Sequence, residues 1–186
     1  MSRASRARSI VALVWAVVLA GCSAPVTTST PVPSATAEPG HACLVAPQTG
    51  LMRTNTLVDI RIDSDGLSDR ITFLLGAPVA EPTGGTGRLK AVEPPFVDGG
   101  SGQPVAIAGS HFVELHMDGM AITDDAGTPT YIGKSSYLPA MLALRQVEMT
   151  EAFEGVYNFV IGYDGNGCVG LAGDEAARNL VITIGH

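Results

Sequence analysis

Tryptophan is nearly missing from this chain: the one copy, Trp15, lies in the first twenty residues, and all aromatics together make up 5% of the sequence. A folded part without Trp lacks the strongest platform for stacking on sugars, which argues against a dedicated carbohydrate module built on stacking. Basic residues are also scarce, 11 against 18 acidic, for a net charge of −7. Such a surface is repelled by nucleic acid and by anionic headgroups, so bulk charge attracts neither. There are three cysteines, Cys22, Cys43 and Cys168. That is too few for a disulfide-dense scaffold, and although His41 lies near Cys43, no fourth ligand for a zinc site presents itself. The longest apolar run, Ile10 to Ala20, has 11 residues. A membrane-spanning helix needs about 20.

What is present begins with a leader. Arg3, Arg6 and Arg8 precede the apolar run, and no acidic residue occurs before Cys22. A basic segment followed by a short apolar one is the pattern of a cleavable signal peptide. The run ends in Leu19-Ala20-Gly21-Cys22, which resembles the lipobox of bacterial lipoproteins. That resemblance implies cleavage between Gly21 and Cys22, a diacylglyceryl thioether on the Cys22 sulfur, and an added acyl chain such as palmitate on the new amine. Two or more acyl chains anchor a protein stably where one does not. The expected location is the extracytoplasmic face of the cell membrane.

Residues 23–40 hold seven Ser or Thr and four Pro. They cannot bury enough apolar surface to offset the entropy of ordering them, so residues 22–42 are expected to form a lipidated tether. Residues 43–186 are expected to form one domain. Loss of Arg3, Arg6 and Arg8 leaves 8 basic residues against 18 acidic, a net −10. In an oxidising compartment Cys43 and Cys168 are expected to pair. Closing that 125-residue loop is worth about 5 kcal/mol at most in the chain-entropy model.

Alternation with period two dominates from residue 56 onward. Val58, Ile60 and Ile62 form one such set, and Ile71, Phe73 and Leu75 another. Val113, Leu115 and Met117 follow, then Tyr157, Phe159, Ile161 and Tyr163, and last Leu180, Ile182 and Ile184. Turn signals separate them at Asp65-Gly66, Gly84-Gly85, Asp98-Gly99-Gly100, Asp125-Ala126-Gly127 and Asp164-Gly165-Asn166-Gly167, the last read as a tight hairpin. Many short strands at this spacing predict an all-β sandwich of antiparallel strands. Short helical turns are expected at 138–144 and 172–179.

Four blocks in order resemble the AMIN-like domain found in many actinobacterial lipoproteins. They are Gly66-Leu-Ser-Asp-Arg-Ile-Thr-Phe73, Asp98-Gly-Gly-Ser-Gly-Gln-Pro-Val105 with Gly109, Leu138-Pro139 with Leu144-Arg-Gln-Val147, and Phe153-Glu-Gly-Val156 with Ile161-Gly-Tyr-Asp164. The resemblance spans roughly residues 56–184. It implies a β-sandwich that acts as a noncatalytic envelope-binding module contacting peptidoglycan or an envelope protein, with no cofactor and no catalytic set. One departure stands out. Where members usually carry a further strand with a basic residue, this chain has glycine-rich Gly165–Gly173 containing Cys168, which leaves the last strand pairing open.

Other chemistry finds less support. Gly127-Thr-Pro-Thr-Tyr-Ile-Gly133-Lys134-Ser135 has five residues between its glycines where a phosphate loop needs four. Asp63, Asp65 and Asp69 form a carboxylate cluster, but the ligand count falls short of a calcium loop, and a hairpin turn explains the same residues. Ser110 and His111 are adjacent, so on a strand they point to opposite faces and cannot form a nucleophile–base pair. His116 and Glu114 share a strand face with Phe112, a solvated face or a groove lining. Phe96 behind Glu93-Pro94-Pro95, with Tyr131 and Tyr137 around Lys134, are either partner contacts or covers for the core. Two rival functions follow. A lipid or small-molecule carrier requires a large apolar cavity, and a hydrolase requires a histidine held beside Ser, Asp or Glu in a cleft.

Overall fold

The computed structural model describes residues 47–79, 85–174 and 178–186. Gly21, Cys22 and Cys43, with the leader and tether assigned to them, lie outside the described residues. All described regular structure is strand: β1 (Gln48–Met52), β2 (Leu57–Ser64), β3 (Ser68–Leu75), β4 (Gly85–Ala91), β5 (Phe96–Val97), β6 (Pro104–Val105), β7 (His111–Asp118), β8 (Ser136–Tyr137), β9 (Leu144–Phe153), β10 (Val156–Tyr163), β11 (Val169–Asp174) and β12 (Asn179–Gly185). One antiparallel sheet runs β1-β4-β7-β10-β9-β8, a second runs β11-β12-β3-β2, and β5 pairs with β6.

The alternating residues do what their period demands. Ile71, Phe73, Val113, Leu115, Met117, Phe159, Ile161, Leu180, Ile182 and Ile184 have no exposed surface, and together they fill the space between the sheets. Phe73 of β3 meets Phe159 of β10 edge to face at 5.1 Å, joining the two layers. Fully burying a side chain of this kind is worth about 1.5–3 kcal/mol, so this layer is the main source of stability.

Turn chemistry sets the registers. Asp65 Oδ1 accepts the amides of Leu67 (3.0 Å) and Ser68 (2.9 Å), closing the β2–β3 hairpin. Those backbone hydrogen bonds hold the Asp65 carboxyl below its ordinary pKa. The β9–β10 hairpin turns on Glu154 (φ 48°) and Gly155 (φ 83°), between the paired residues Phe153 and Val156. Two successive positive φ values match the twist of the flanking strands.

Three expectations are corrected. Residues 138–144 form no helical turn; 138–143 are an irregular link between β8 and β9, and Leu144 opens β9. The amides of Ala143 and Leu144, which a helix would direct at its own carbonyls, donate to Asp69 Oδ2, both at 2.8 Å. Arg145 takes the carbonyls of Met141 (2.9 Å) and Leu142 (3.1 Å). The helical turn at 172–179 is replaced by strand at both described ends, with Asp174 paired to Asn179 and Arg178 at φ 49°. The Asp164–Gly167 hairpin is instead a crossover from β10 in one sheet to β11 in the other. Asp164 is drawn away from a local turn by Ser110 (Oγ to Oδ1, 2.9 Å) and Arg145 (Nε to Oδ2, 2.6 Å). The glycine-rich departure runs from that crossover into strand β11, and all six residues of β11 pair with β12.

Candidate functional site

The outer face of the six-stranded sheet divides into a covered part and an open part. Residues 93–110, which carry β5 and β6, cross it as a strap. The strap is held by Val92 N to Phe112 O (3.1 Å), Gly99 N to Thr150 O (2.7 Å) and Ala108 N to the Gln146 side-chain oxygen (2.8 Å). Its return passes so close to β10 that a Cβ on Gly162 would sit 1.9 Å from Ala108 O. Coverage by the strap explains why Val160, on the outward set of β10, is 2% exposed. Phe96 of the strap packs edge to face on Phe112 of β7 at 5.0 Å. With Pro94, Pro95, Pro104 and Ile107 they line an apolar groove of about 380 Å³.

Beside the strap the sheet is open and polar. Cross-strand register places Arg88, His116, Asn158 and Glu151 in one row over four strands. Asn158 donates its amide N–H to Glu151 and presents its carbonyl oxygen to His116 Nδ1 at 2.7 Å. That arrangement assigns the Nδ1 proton to His116, because an amide oxygen only accepts. His116 Nε2 is left facing outward, 3.9 Å from Asp118 Oδ2, too far for a hydrogen bond. In the rows on either side, Lys90 Nζ meets Glu114 Oε1 at 2.9 Å, and Thr86 Oγ1 donates to Asp118 at 2.8 Å. The result is a flat array of amide, carboxylate, imidazole and ammonium groups bordering an apolar groove. Such a surface makes directional hydrogen bonds along one strip and apolar contact along the next.

The remaining sequence candidates fall elsewhere. Tyr131 and Tyr137 cover the core: the Tyr131 ring packs on Tyr157 and Phe159 at 6.0 and 6.2 Å, and its hydroxyl donates to Lys134 O at 2.6 Å. Burial pushes the Tyr131 hydroxyl pKa well up, with the Tyr137 hydrogen bond adding to it. Ser110 is bonded to Asp164, while the His111 ring lies against Tyr163, 5.5 Å between centroids. Asp63 and Asp65 face Arg70 at 3.5 and 3.1 Å, whereas Asp69 points inward, so the acidic cluster does not converge on one point. Cys168 is exposed immediately before β11.

Sequence reasoning placed Asp69 in an acidic turn cluster and missed its burial and its partner His186. Its carboxylate has no exposed surface, and Oδ1 lies 2.9 Å from His186 Nε2. Nearby hydroxyls are committed to the hairpin: Ser64 Oγ donates to Ser68 O and Ser68 Oγ to Asp65. The pair therefore reads as a clasp between the hairpin and β12. The signal in the sequence was that Asp69 shares the parity of Ile71, Phe73 and Leu75, the inward set of β3.

No curated protein and no solved structure matches the chain. A family model for the AMIN-like domain matches residues 55–186, from just before β2 to the end of β12. That match takes in the four-stranded sheet, the six-stranded sheet except β1, the strap and the polar row. The chain belongs to the AMIN-like domain family.

Proposed function

We propose that this protein is a membrane-anchored extracytoplasmic lipoprotein whose AMIN-like domain is a noncatalytic cell-envelope binding module, with peptidoglycan as its ligand and an envelope protein as the alternative. One observation carries the reading: the Arg88–His116–Asn158–Glu151 row lies open beside the Phe96–Phe112 groove. Glycan strands offer hydroxyl and amide edges together with apolar ring faces, and this pairing of surfaces meets both. With a mature net charge of −10, contact rests on hydrogen bonds and shape rather than Coulombic attraction.

Anchoring rests on Cys22 within Leu19-Ala20-Gly21-Cys22, and Gly21 is the residue before the cut. The Cys43–Cys168 disulfide belongs to the same proposal. Cys168 lies exposed immediately before β11, and Cys43 is the one partner left once Cys22 carries lipid. The carrier alternative finds no support in the interior, where Phe73, Leu115, Phe159 and Ile182 occupy the space between the sheets. The test is co-sedimentation of the mature domain with purified cell wall at several salt concentrations. Retention in the pellet is expected; a wholly soluble fraction would sink the peptidoglycan reading.

A further inference from the structure

Pro47, the first described residue, leads into β1 at one end of the sandwich. The Gln48 side chain fixes that end against β11, donating to Val169 O (3.3 Å) and accepting from Leu171 N (2.6 Å). Cys168, next along, accepts Gly185 N at 3.0 Å, and His186 N donates to Leu67 O at 3.0 Å. Leu142 borders a cleft of about 370 Å³ with Gly165, Gly185 and His186. One end of the fold therefore holds the entry of the chain, Cys168, the β2–β3 turn and the 138–142 loop.

That end exposes leucines. Leu67 is 81% exposed, Leu142 70% and Leu138 73%. Single exposed apolar residues are ordinary, but three on two adjacent loops at the attachment end form a set. Three carboxylates around them have cationic partners within the fold, Asp63 and Asp65 with Arg70 and Asp164 with Arg145, and Asp69 is buried against His186. Local repulsion from anionic headgroups is reduced accordingly.

We infer that this end docks on the lipid bilayer, with Leu67 and Leu142, flanked by Leu138, entering the boundary between headgroups and acyl chains. The inference rests on the proposed acylation of Cys22. Residues 23–46 join that anchor to Pro47, and that length of chain can reach no further than about 80–85 Å. The tether thus keeps the leucine-bearing end at high effective concentration over the membrane. Docking in this pose stands the open sheet face upright, accessible to envelope material beside the membrane.

The mature protein has no Trp, so introduced Trp is a clean probe. Acylated full-length L67W, L142W and F153W are reconstituted in phosphatidylethanolamine–phosphatidylglycerol vesicles with and without brominated acyl chains. Phe153 is 62% exposed at the β9–β10 turn, the opposite end of β10 from the crossover, and serves as control. Brominated lipid is expected to lower emission roughly twofold for L67W and L142W, since insertion reaches about 5–10 Å into the interface, and to leave F153W unchanged. Slowed amide exchange at 65–68 and 139–144 of the wild-type chain on vesicles is the substitution-free counterpart. Vesicle flotation without quenching at 67 and 142 would leave the anchor standing and overturn docking. Failure of the wild-type chain to float would remove both. Equal quenching at all three sites, or shielding from aqueous iodide without lipid quenching, would also overturn it, the latter by pointing to a protein or second copy as the cover.

Discussion

His186 Nε2 lies 2.9 Å from Oδ1 of Asp69, a carboxylate with no exposed surface whose other oxygen accepts the amides of Ala143 and Leu144. One side chain thus ties the β2–β3 hairpin, the start of β9 and the end of β12. Burial raises the pKa of such a group, but the amides of Leu144 and Ala143 and the His186 contact outweigh it, and the net shift is downward. A buried acceptor with this many donors is costly to remove, because each donor is left without a partner.

Asp69→Ala is therefore expected to destabilise the domain by about 3 kcal/mol, read as a lower urea midpoint. Asp69→Asn keeps one carbonyl acceptor and loses less. The sign with pH follows from the depressed pKa: the contribution is fully present above the ordinary carboxylate value of 3.8 and disappears as pH falls through the lower folded value. Wild type should lose stability in that acid window more steeply than Asp69→Asn; parallel curves would contradict the assignment.

Gly162→Ala is expected to lift the strap. The new Cβ would meet Ala108 O, a backbone atom with little room to yield, at a cost of about 2–3 kcal/mol. Gly170→Ala, where a Cβ meets nothing within 4 Å, is the matched control and should be near neutral. Thermal melts of the two variants separate the cases.

Asn158→Ala should weaken cell-wall retention about tenfold while leaving the melting temperature within a few degrees, because it breaks a surface row and not the core. Thr183→Ala, on the outer face of the other sheet, should bind as wild type. Equal losses in both variants would move the binding face elsewhere.

Cys22→Ser is expected to shift the protein from the membrane fraction to the soluble one. Cys43→Ser and Cys168→Ser should each lower stability by about 3–5 kcal/mol, and the double variant no further, since one bridge is lost in every case. Additive losses would show that the two thiols do not pair.

Much of the sandwich was legible in the residues. Ile71, Phe73 and Leu75, or Val113, Leu115 and Met117, alternate without interruption, and a period of two places one set inward whatever the neighbours are. The Asp65-Gly66 turn was equally local, since Asp65 closes it with its own carboxylate. β4 was not legible: its inward positions include Gly85 and Gly87, which carry no hydrophobic signal. Nor was the polar row, because Arg88, His116, Asn158 and Glu151 come from four strands and meet only through sheet register.

The chain alone determined the strands with clean alternation and the local turns, because each depends on residues within a few positions of one another, and it carries the Leu19–Cys22 segment that resembles a lipobox. Only the tertiary structure decided that Asp164–Gly167 crosses between sheets, that 138–144 is held open by a buried Asp69, and that the strap hides Val160 while leaving His116 half-buried. Those outcomes turn on donors and acceptors up to 75 residues apart, and no local pattern records which of them will meet.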